Sequence, residues 1–225
     1  MGHGPTSVHS DPSETTPAIQ WPLPPDPAPA AARRLRLGVM ASGSGSNFEA
    51  LVQACNGGSL AAQVSLLVVN NPGCGAQERA ARLGVPCAVH DHRLAPSREA
   101  LDAQLIASFR AAAVDLVVMA GWMRIVTQRL IDAYPERLLN IHPSLLPSFR
   151  GARAIEQALQ ARVALSGCTA HLVSLEVDTG PILVQAAVPV LAGDDAASLA
   201  QRIHRQEHRI LPVAVHLAAE RLGLL

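Results

Sequence analysis

The sequence predicts an α/β fold: a mostly parallel, doubly wound, Rossmann-like sheet that ends in an antiparallel hairpin and a final helix. Short apolar runs alternate with segments of helical periodicity from Leu35 onward, which is the pattern of β-α-β units. These runs are apolar throughout, as expected for parallel strands that are covered on both faces. Near the C-terminus, two strand-like runs are separated only by Asp178–Pro181, so this pair is predicted to be antiparallel.

Each predicted element of the parallel part follows from its local pattern. The run that ends at Val69 is rich in β-branched residues and Leu, and it stops at an Asn-Asn-Pro-Gly turn. One helix places Leu101, Leu105 and Phe109 at i, i+4 and i+8, on a single face. The predicted strands are Leu35–Met40, Gln63–Val69, Pro86–Val89, Asp115–Ala120 and Arg137–Ile141, and the other helices are Ser46–Cys55, Ala76–Leu83 and Gln128–Ala133.

The pattern changes after a predicted helix at Ala154–Val163. The two strands of the hairpin are predicted at Cys168–Val177 and Ile182–Val190, at one edge of the sheet. A final helix is predicted from about Ala196.

The composition is that of a globular protein with ample material for a core: 49% of the 225 residues are hydrophobic and 16% are charged. The 18 Lys and Arg residues balance 18 Asp and Glu residues, so net charge does not favour binding to nucleic acid or to a membrane surface. All 18 of the basic residues are arginine, which excludes a Schiff-base lysine and a P-loop lysine.

Residues 1–33 are predicted to be a disordered, Pro-rich leader, because they cannot bury enough surface to offset their ordering entropy. Trp21 is the only side chain there that could dock, and the segment could equally reflect the choice of start site. No apolar run reaches the roughly 18 residues of a membrane span, and the N-terminus lacks a secretion signal. The four cysteines form no CxxC pair and are predicted to be buried thiols of a cytoplasmic protein.

The segment Ser42–Asn47 joins the first strand to a helix. Its glycines let the backbone approach a ligand, and the free N–H groups of a helix start favour an anion such as phosphate. The dinucleotide-binding fingerprint is absent, because Phe48 stands at its third glycine and the second strand ends in Asn70 and Asn71 instead of an acidic residue. A phosphate site and a plain strand–helix turn both fit this pattern.

Asn140 and His142 lie at the carboxyl end of a predicted strand, where open α/β sheets bind their ligands. Side chains alternate along a strand, so these two point to the same face. An amide donor beside an imidazole suits a developing oxyanion and a proton transfer. A buried, mutually satisfied polar pair explains the pattern equally well.

Asp178 begins an Asp-Thr-Gly triplet similar to that of aspartic proteases. Those enzymes need two facing aspartates in an all-β fold, which this sequence does not predict. Asp178 is therefore either a plain turn residue or a carboxylate that orients and charges a histidine.

The stretch His204–His208 matches the H-x-x-E-H pattern of inverted zincins, but that chemistry needs a further carboxylate ligand, so no metal is expected. Glu207 falls instead on the apolar stripe of the last helix, with Leu199, Ile203 and Ile210. A carboxylate on an apolar face should be paired with a donor, and a ligand hydroxyl would serve.

Five segments of the chain occur in a characteristic order, namely Ser42–Asn47, Ala120–Ile125, Asn140–Pro147, Asp178–Ile182 and Gln206–His208. Together they resemble the phosphoribosylglycinamide formyltransferases, a folate-dependent family of de novo purine synthesis. The resemblance covers essentially residues 35–225. Each motif is weak alone, but five with matching spacing are specific.

The resemblance implies a catalytic domain at residues 34–225 that transfers the formyl group of 10-formyltetrahydrofolate to the amine of 5-phosphoribosylglycinamide. Gly45, Ser46 and Asn47 would hold the phosphate of this acceptor, and Glu207 its ribose hydroxyls. The folate would be bound by Arg98, Met123, Arg124, Ile125, Val126, Asn140, Ser174, Leu175, Glu176, Val177 and Asp178. Arg98 matches an arginine of a loop that is mobile in the family, and its ligand stays open.

The resemblance also implies direct attack of the amine on the formyl carbon, without a covalent enzyme intermediate. Asn140 and protonated His142 would stabilise the oxyanion, and His142 would also donate a proton. Asp178 would favour the imidazolium form of His142. The expected partners are the two small-molecule substrates, with no metal, nucleic acid or membrane, in a monomer or homodimer.

Three alternatives accompany this interpretation. Ser148–Ala152 is closer to the methionyl-tRNA formyltransferases, but those carry a further tRNA-binding domain, and zero net charge speaks against tRNA. A formyltetrahydrofolate hydrolase shares the Asn, His and Asp set but would need an N-terminal regulatory domain, for which the leader is too short and too polar. A non-catalytic phosphoribosyl or folate sensor would have no need for Asn140, His142 and Asp178 together.

Overall fold

The computed structural model describes residues 19–24 and 34–225, which contain one eight-stranded sheet with helices on both faces. The strands are β1 (Ile19–Trp21), β2 (Leu35–Ala41), β3 (Ala62–Val69), β4 (Cys87–Val89), β5 (Leu116–Met119), β6 (Leu138–His142), β7 (Leu165–Leu172) and β8 (Ile182–Pro189). The helices are α1 (Ser46–Asn56), α2 (Gly75–Leu83), α3 (Arg98–Ala111), α4 (Gln128–Ala133), α5 (Ala154–Gln160) and α6 (Ala196–Arg221).

The sheet changes direction at β6. Across the sheet the strands follow the order β1-β8-β7-β6-β5-β2-β3-β4. Neighbours from β4 to β6 pair in parallel, whereas β6 with β7, β7 with β8 and β8 with β1 pair antiparallel. The predicted fold class is therefore confirmed, and the end of β6 lies where the parallel and antiparallel parts meet.

Both faces of the sheet are covered because its central strands are apolar on both sides. All of β5 is buried. Leu116 and Val118 pack into a core with α1, α2 and α6. Val117 and Met119 point the other way, into a second core with α3 and α4. This packing agrees with strands predicted from uninterrupted apolar runs.

The connection between the last two strands differs from the prediction. β7 ends at Leu172 and not at Val177, so residues 173–181 form an irregular loop. Within this loop, Asp178 has a left-handed backbone, with φ of 55°, and Gly180 packs on the Leu172 carbonyl oxygen, where a Cβ would collide. The predicted four-residue turn was therefore wrong, and the longer loop places Asp178 near β6.

A short strand lies inside the segment that was predicted to be a disordered leader. β1 pairs antiparallel with β8 and covers the unpaired backbone groups of that edge. The backbone makes this pairing, since the Trp21 side chain is 72% exposed. The expected disorder therefore does not hold for Ile19–Trp21, and residues 1–18 and 25–33 lie outside the described residues.

The four cysteines are unpaired thiols. Cys55 and Cys168 are buried, whereas Cys74 and Cys87 are half-buried. Burial raises the pKa of Cys55 to about 11, so this thiol stays protonated. Within the ranges that the structure describes, no helix combines the length and the apolar character needed to cross a membrane.

Candidate active site

Asn140 and His142 stand at the carboxyl end of β6, with the carboxylate of Asp178 between them. Asp178 Oδ1 lies 3.4 Å from Nδ2 of Asn140, and Asp178 Oδ2 lies 3.3 Å from Nδ1 of His142. Strand alternation puts Asn140 and His142 on one face, and the loop after β7 brings Asp178 to that face. The three residues predicted to be catalytic are therefore neighbours.

Asp178 is held by its own backbone and by its surroundings. Its left-handed conformation is one that Asp tolerates better than most residues, and its Oδ2 accepts the Gly151 N–H at 2.9 Å. Burial alone would raise the pKa of Asp178, but hydrogen bonds, among them that from the Gly151 N–H, and the charge of His142 outweigh it and lower the pKa. The carboxylate is thus a stable negative charge beside His142.

His142 meets a second acceptor on the other side of its ring. Its Nε2 lies 2.9 Å from the Phe149 carbonyl oxygen, which can only accept, so Nε2 carries a proton. Its Nδ1 faces the Asp178 carboxylate. A doubly protonated ring satisfies both contacts. The loop that contains Phe149 is held in turn by Ser144, whose hydroxyl donates to the Ser148 carbonyl at 2.6 Å.

His171 completes this cluster and was not predicted from the sequence. It lies on β7 directly opposite Asn140 and is 2% exposed. Its Nε2 is 3.2 Å from Asn140 Nδ2 and 3.5 Å from Asp178 Oδ1. A histidine within a predicted strand was the available signal, but the pairing of that strand with β6 is needed to place it here.

The loop before α1, residues 42–47, allows a ligand to approach the backbone closely, and we call it the anion loop. Gly45 caps the helix with φ of 77°, and a Cβ on it would lie 2.6 Å from Ala76, so glycine is required. Among the described residues, no side chain caps this helix. The N–H groups of its first turn, at Ser46 and Asn47, are therefore available to an anion.

Glu207 lies on the face of α6 that is turned toward α1. Its Oε2 accepts a 2.8 Å hydrogen bond from Nδ2 of Asn47, and the residue is 4% exposed. Burial raises the pKa of Glu207, partly offset by this hydrogen bond and by the charges of His204 and His142. The donor expected for this carboxylate is thus a protein side chain, and the buried Oδ1 of Asn47 has no partner among the described residues.

The stretch His204–His208 does not assemble a metal site with its neighbours. Within residues 19–24 and 34–225, no three His, Cys, Asp or Glu side chains are grouped so that they could hold a metal ion.

The predicted folate segment after β5 is tied to the anion loop. The Met123 N–H donates to Ser42 Oγ at 2.9 Å. Met123 and Ile125 are 82% and 54% exposed, whereas Val126 is buried. Arg124 is half-buried, and its Nε has no hydrogen-bond partner in the described part of the chain. The exposed apolar side chains of Met123 and Ile125 are available to a ligand.

A groove of about 410 Å³ lies beside this segment. Arg98, Val126 and Leu175 are among its lining residues, and they come from three separate parts of the chain. Ser174 pins the turn that carries Leu175, since its hydroxyl lies 2.8 Å from Thr179 Oγ1. The other predicted residues of this turn, Glu176 and Val177, are exposed. Of the residues predicted to bind the folate, Arg98, Ile125, Val126 and Leu175 thus line one groove.

Comparison with known proteins agrees with this geometry. A family model described as formyl transferase matches residues 35–215. The chain belongs to the formyl transferase family. This formyl transferase is 37% identical over 177 residues to a phosphoribosylglycinamide formyltransferase of Bacillus subtilis, across 79% of this chain and 91% of that protein.

Longer relatives contain a similar formyl transferase segment. The chain is 44% identical over 189 residues to the trifunctional purine biosynthetic protein adenosine-3 of Drosophila melanogaster, and these residues are 83% of this chain but 14% of that protein. The chain is 39% identical over 181 residues to the human protein of the same name, and these residues are 18% of that protein. The chain therefore spans less than a fifth of the length of these trifunctional relatives.

Solved formyl transferase structures share the architecture. A glycinamide ribonucleotide transformylase 1 from Symbiobacterium toebii superposes with a TM-score of 0.82 at 45% identity, over 84% of this chain and 90% of that one. A phosphoribosylglycinamide formyltransferase from Bacillus halodurans gives 0.79 at 40% identity, over 83% and 96%. The mostly parallel sheet with an antiparallel end is thus the fold of this family.

Proposed function

We propose that this formyl transferase moves the formyl group of 10-formyltetrahydrofolate to the amine of 5-phosphoribosylglycinamide, with residues 34–225 as the catalytic unit. The observation that carries the proposal is the cluster of Asn140, His142 and Asp178 at the end of β6, in a sheet whose anion loop opens at the same edge. The match to 91% of the Bacillus subtilis formyltransferase supports the same reaction.

The acceptor binds at the start of α1. Its phosphate accepts backbone N–H groups of Gly45, Ser46 and Asn47, which the uncapped helix leaves available. Its ribose hydroxyls donate to Glu207, whose negative charge strengthens such hydrogen bonds. The unpartnered Oδ1 of Asn47 supplies a further acceptor beside it.

The folate binds in the groove between the segment after β5 and the turn before Asp178. The apolar side chains of Ile125, Val126 and Leu175 cover its rings, and Arg98 stands at the edge of the groove. The remaining folate contacts of the proposal are Met123, Arg124, Asn140, Ser174, Glu176, Val177 and Asp178. Both substrates are small molecules, and neither a metal nor a nucleic acid takes part in this proposal.

The reaction begins when the amine lone pair forms a bond to the formyl carbon and the carbonyl electrons move to oxygen. An N–H of Asn140 and the His142 imidazolium stabilise this oxyanion, and Asp178 stabilises the imidazolium. The oxyanion then re-forms the carbonyl, the bond from carbon to the folate nitrogen breaks, and His142 protonates that nitrogen. The proton released by the amine restores His142.

In the proposed complex, the formyl oxygen replaces a protein carbonyl oxygen as the acceptor of a hydrogen bond from His142. In the structure, His142 Nε2 donates to the Phe149 carbonyl, so this donor is already aimed at a carbonyl oxygen. The Ser144 hydroxyl lies 3.4 Å from the same Phe149 oxygen and can donate to it when His142 turns to substrate. The formyl oxygen therefore replaces Phe149 O as the acceptor of the His142 Nε2–H.

The test is formyl transfer from a 10-formyl folate analogue, followed by absorbance, with and without 5-phosphoribosylglycinamide. Release of the deformylated folate only with this acceptor supports the proposal, and ribose 5-phosphate, which lacks the amine, is the matched control. Release without any acceptor indicates the hydrolase. Binding of both ligands without turnover indicates a sensor. The cytoplasmic location and a monomeric or homodimeric state stay predictions.

A further inference from the structure

His171 is a buried, titratable group that the proposed reaction does not use. It lies on β7 opposite Asn140, is 2% exposed, and reaches both Asn140 and Asp178 through Nε2. Burial of a polar side chain is unfavourable unless its polar atoms are paired. Whether Nε2 carries a proton therefore determines whether His171 donates a hydrogen bond to these two neighbours or accepts one from them.

The contact of the other ring nitrogen, Nδ1, shows which nitrogen of His171 carries a proton. His171 Nδ1 is 2.9 Å from the carbonyl oxygen of Leu172, which can only accept, so Nδ1 carries a proton. This carbonyl is itself confined, because Gly180 packs directly on it and the Leu172 N–H donates to the Pro181 carbonyl. The ring is thus anchored through Nδ1, which leaves Nε2 directed toward Asn140 and Asp178.

With Nδ1 protonated, the neutral ring offers a lone pair at Nε2. The nearest group is Nδ2 of Asn140 at 3.2 Å, which is a donor. Nε2 therefore accepts one of the two amide hydrogens of Asn140. The second amide hydrogen has only the 3.4 Å contact with Asp178 Oδ1 and remains free to turn toward a formyl oxygen.

We propose that His171 is a positioning residue: anchored to the Leu172 carbonyl through Nδ1, it holds the Asn140 amide through Nε2 so that one N–H faces the oxyanion. This inference rests on the proposed formyl transfer for its kinetic consequence, but the contact itself does not depend on that reaction. Without the Nε2 acceptor, the amide can rotate and present its oxygen to the oxyanion, which would repel it.

Two substitutions separate this role from simple filling of space. His171→Asn keeps an amide near the position of Nδ1 and has nothing at Nε2, whereas His171→Gln places an amide oxygen near Nε2, where it can accept from Asn140. We expect His171→Asn to lower kcat about 10- to 100-fold, because small errors of orientation have effects of this size. We expect KM for both substrates to stay within about twofold.

His171→Gln should restore most of kcat even if it lowers Tm as much as His171→Asn does. A wild-type kcat in His171→Asn would overturn the proposal. So would equal losses of kcat in the two variants that follow equal losses of Tm, since that is the result of a purely structural role.

A spectroscopic test on the wild-type chain does not need activity. In ¹⁵N-labelled protein, the ring shifts of His171 should show Nδ1 protonated and Nε2 unprotonated, with a scalar coupling between Nε2 and Asn140 Nδ2. A protonated Nε2 would overturn the proposal. If the chain transfers no formyl group but the coupling is present, the proposed function fails while the assigned contact stands.

Discussion

Asn47, at the start of α1, donates its side-chain amide to the carboxylate of Glu207 on α6 at 2.8 Å, although the two are 160 positions apart in the sequence. The bond joins the anion loop to the helix that carries the only carboxylate of the proposed acceptor site. Asn47 therefore has two roles in the proposal: its N–H belongs to the phosphate loop, and its side chain orients the group that binds ribose.

Glu207→Gln is expected to weaken binding of the acceptor and to leave the chemical step nearly intact. The amide oxygen of Gln still accepts from Asn47, but the charge that strengthens hydrogen bonds to ribose hydroxyls is lost. We expect KM for 5-phosphoribosylglycinamide to rise about 10-fold, from roughly 1.4 kcal/mol of lost binding. Steady-state kinetics with each substrate varied in turn test this, and an equal rise of KM for the folate would contradict it.

The burial of Glu207 also predicts that the free energy of unfolding depends on pH. Burial raises the pKa of Glu207 above its ordinary 4.5, so the folded state binds this proton more tightly than the unfolded state does. Unfolding free energy should therefore fall in the wild-type chain, relative to Glu207→Gln, as pH rises from 4.5 through the raised pKa. Urea unfolding of both chains across this range measures the difference, and a constant difference would refute the assignment.

Asn140→Ala and Asp178→Asn should each lower kcat at least about 100-fold while the chain still folds, because each removes or misorients an oxyanion donor. Folding is checked by circular dichroism and by Tm. Asp132→Asn is a matched control: it makes the same chemical change at an exposed residue of α4, whose carboxylate accepts a hydrogen bond from Gln128. Turnover near the wild-type value in Asn140→Ala or in Asp178→Asn would exclude the assigned roles.

Leu175→Asp tests the folate groove. Leu175 is 60% exposed in this structure and lines the groove with Arg98 and Val126. A carboxylate in place of an apolar contact should raise KM for the folate about 10-fold or more, and leave KM for the acceptor unchanged. Leu94→Asp introduces the same change at a leucine that is 84% exposed and outside the groove. Equal effects of the two substitutions would argue against folate binding there.

The local sequence pattern predicted those helices and strands whose conformation depends mainly on neighbouring residues in the chain. Val117 and Met119 belong to an apolar run, and the structure buries them because a central parallel strand is covered on both faces. Val177 also looks strand-like but is exposed, because it lies in the loop that follows the end of β7 at Leu172. The pairing of β1 with β8 at the edge of the sheet likewise cannot be predicted from the periodicity of the sequence.

For the candidate site, the sequence by itself determined the residue types and the faces: Asn140 and His142 share one side of a strand, Gly45 opens a helix, and Glu207 lies on an apolar stripe. Only the tertiary structure decided the pairs, because contacts such as Asn47 with Glu207 and Asn140 with His171 depend on which helices and strands become neighbours. Strand order and helix packing are chosen by burial of the whole chain, and no local spacing encodes them.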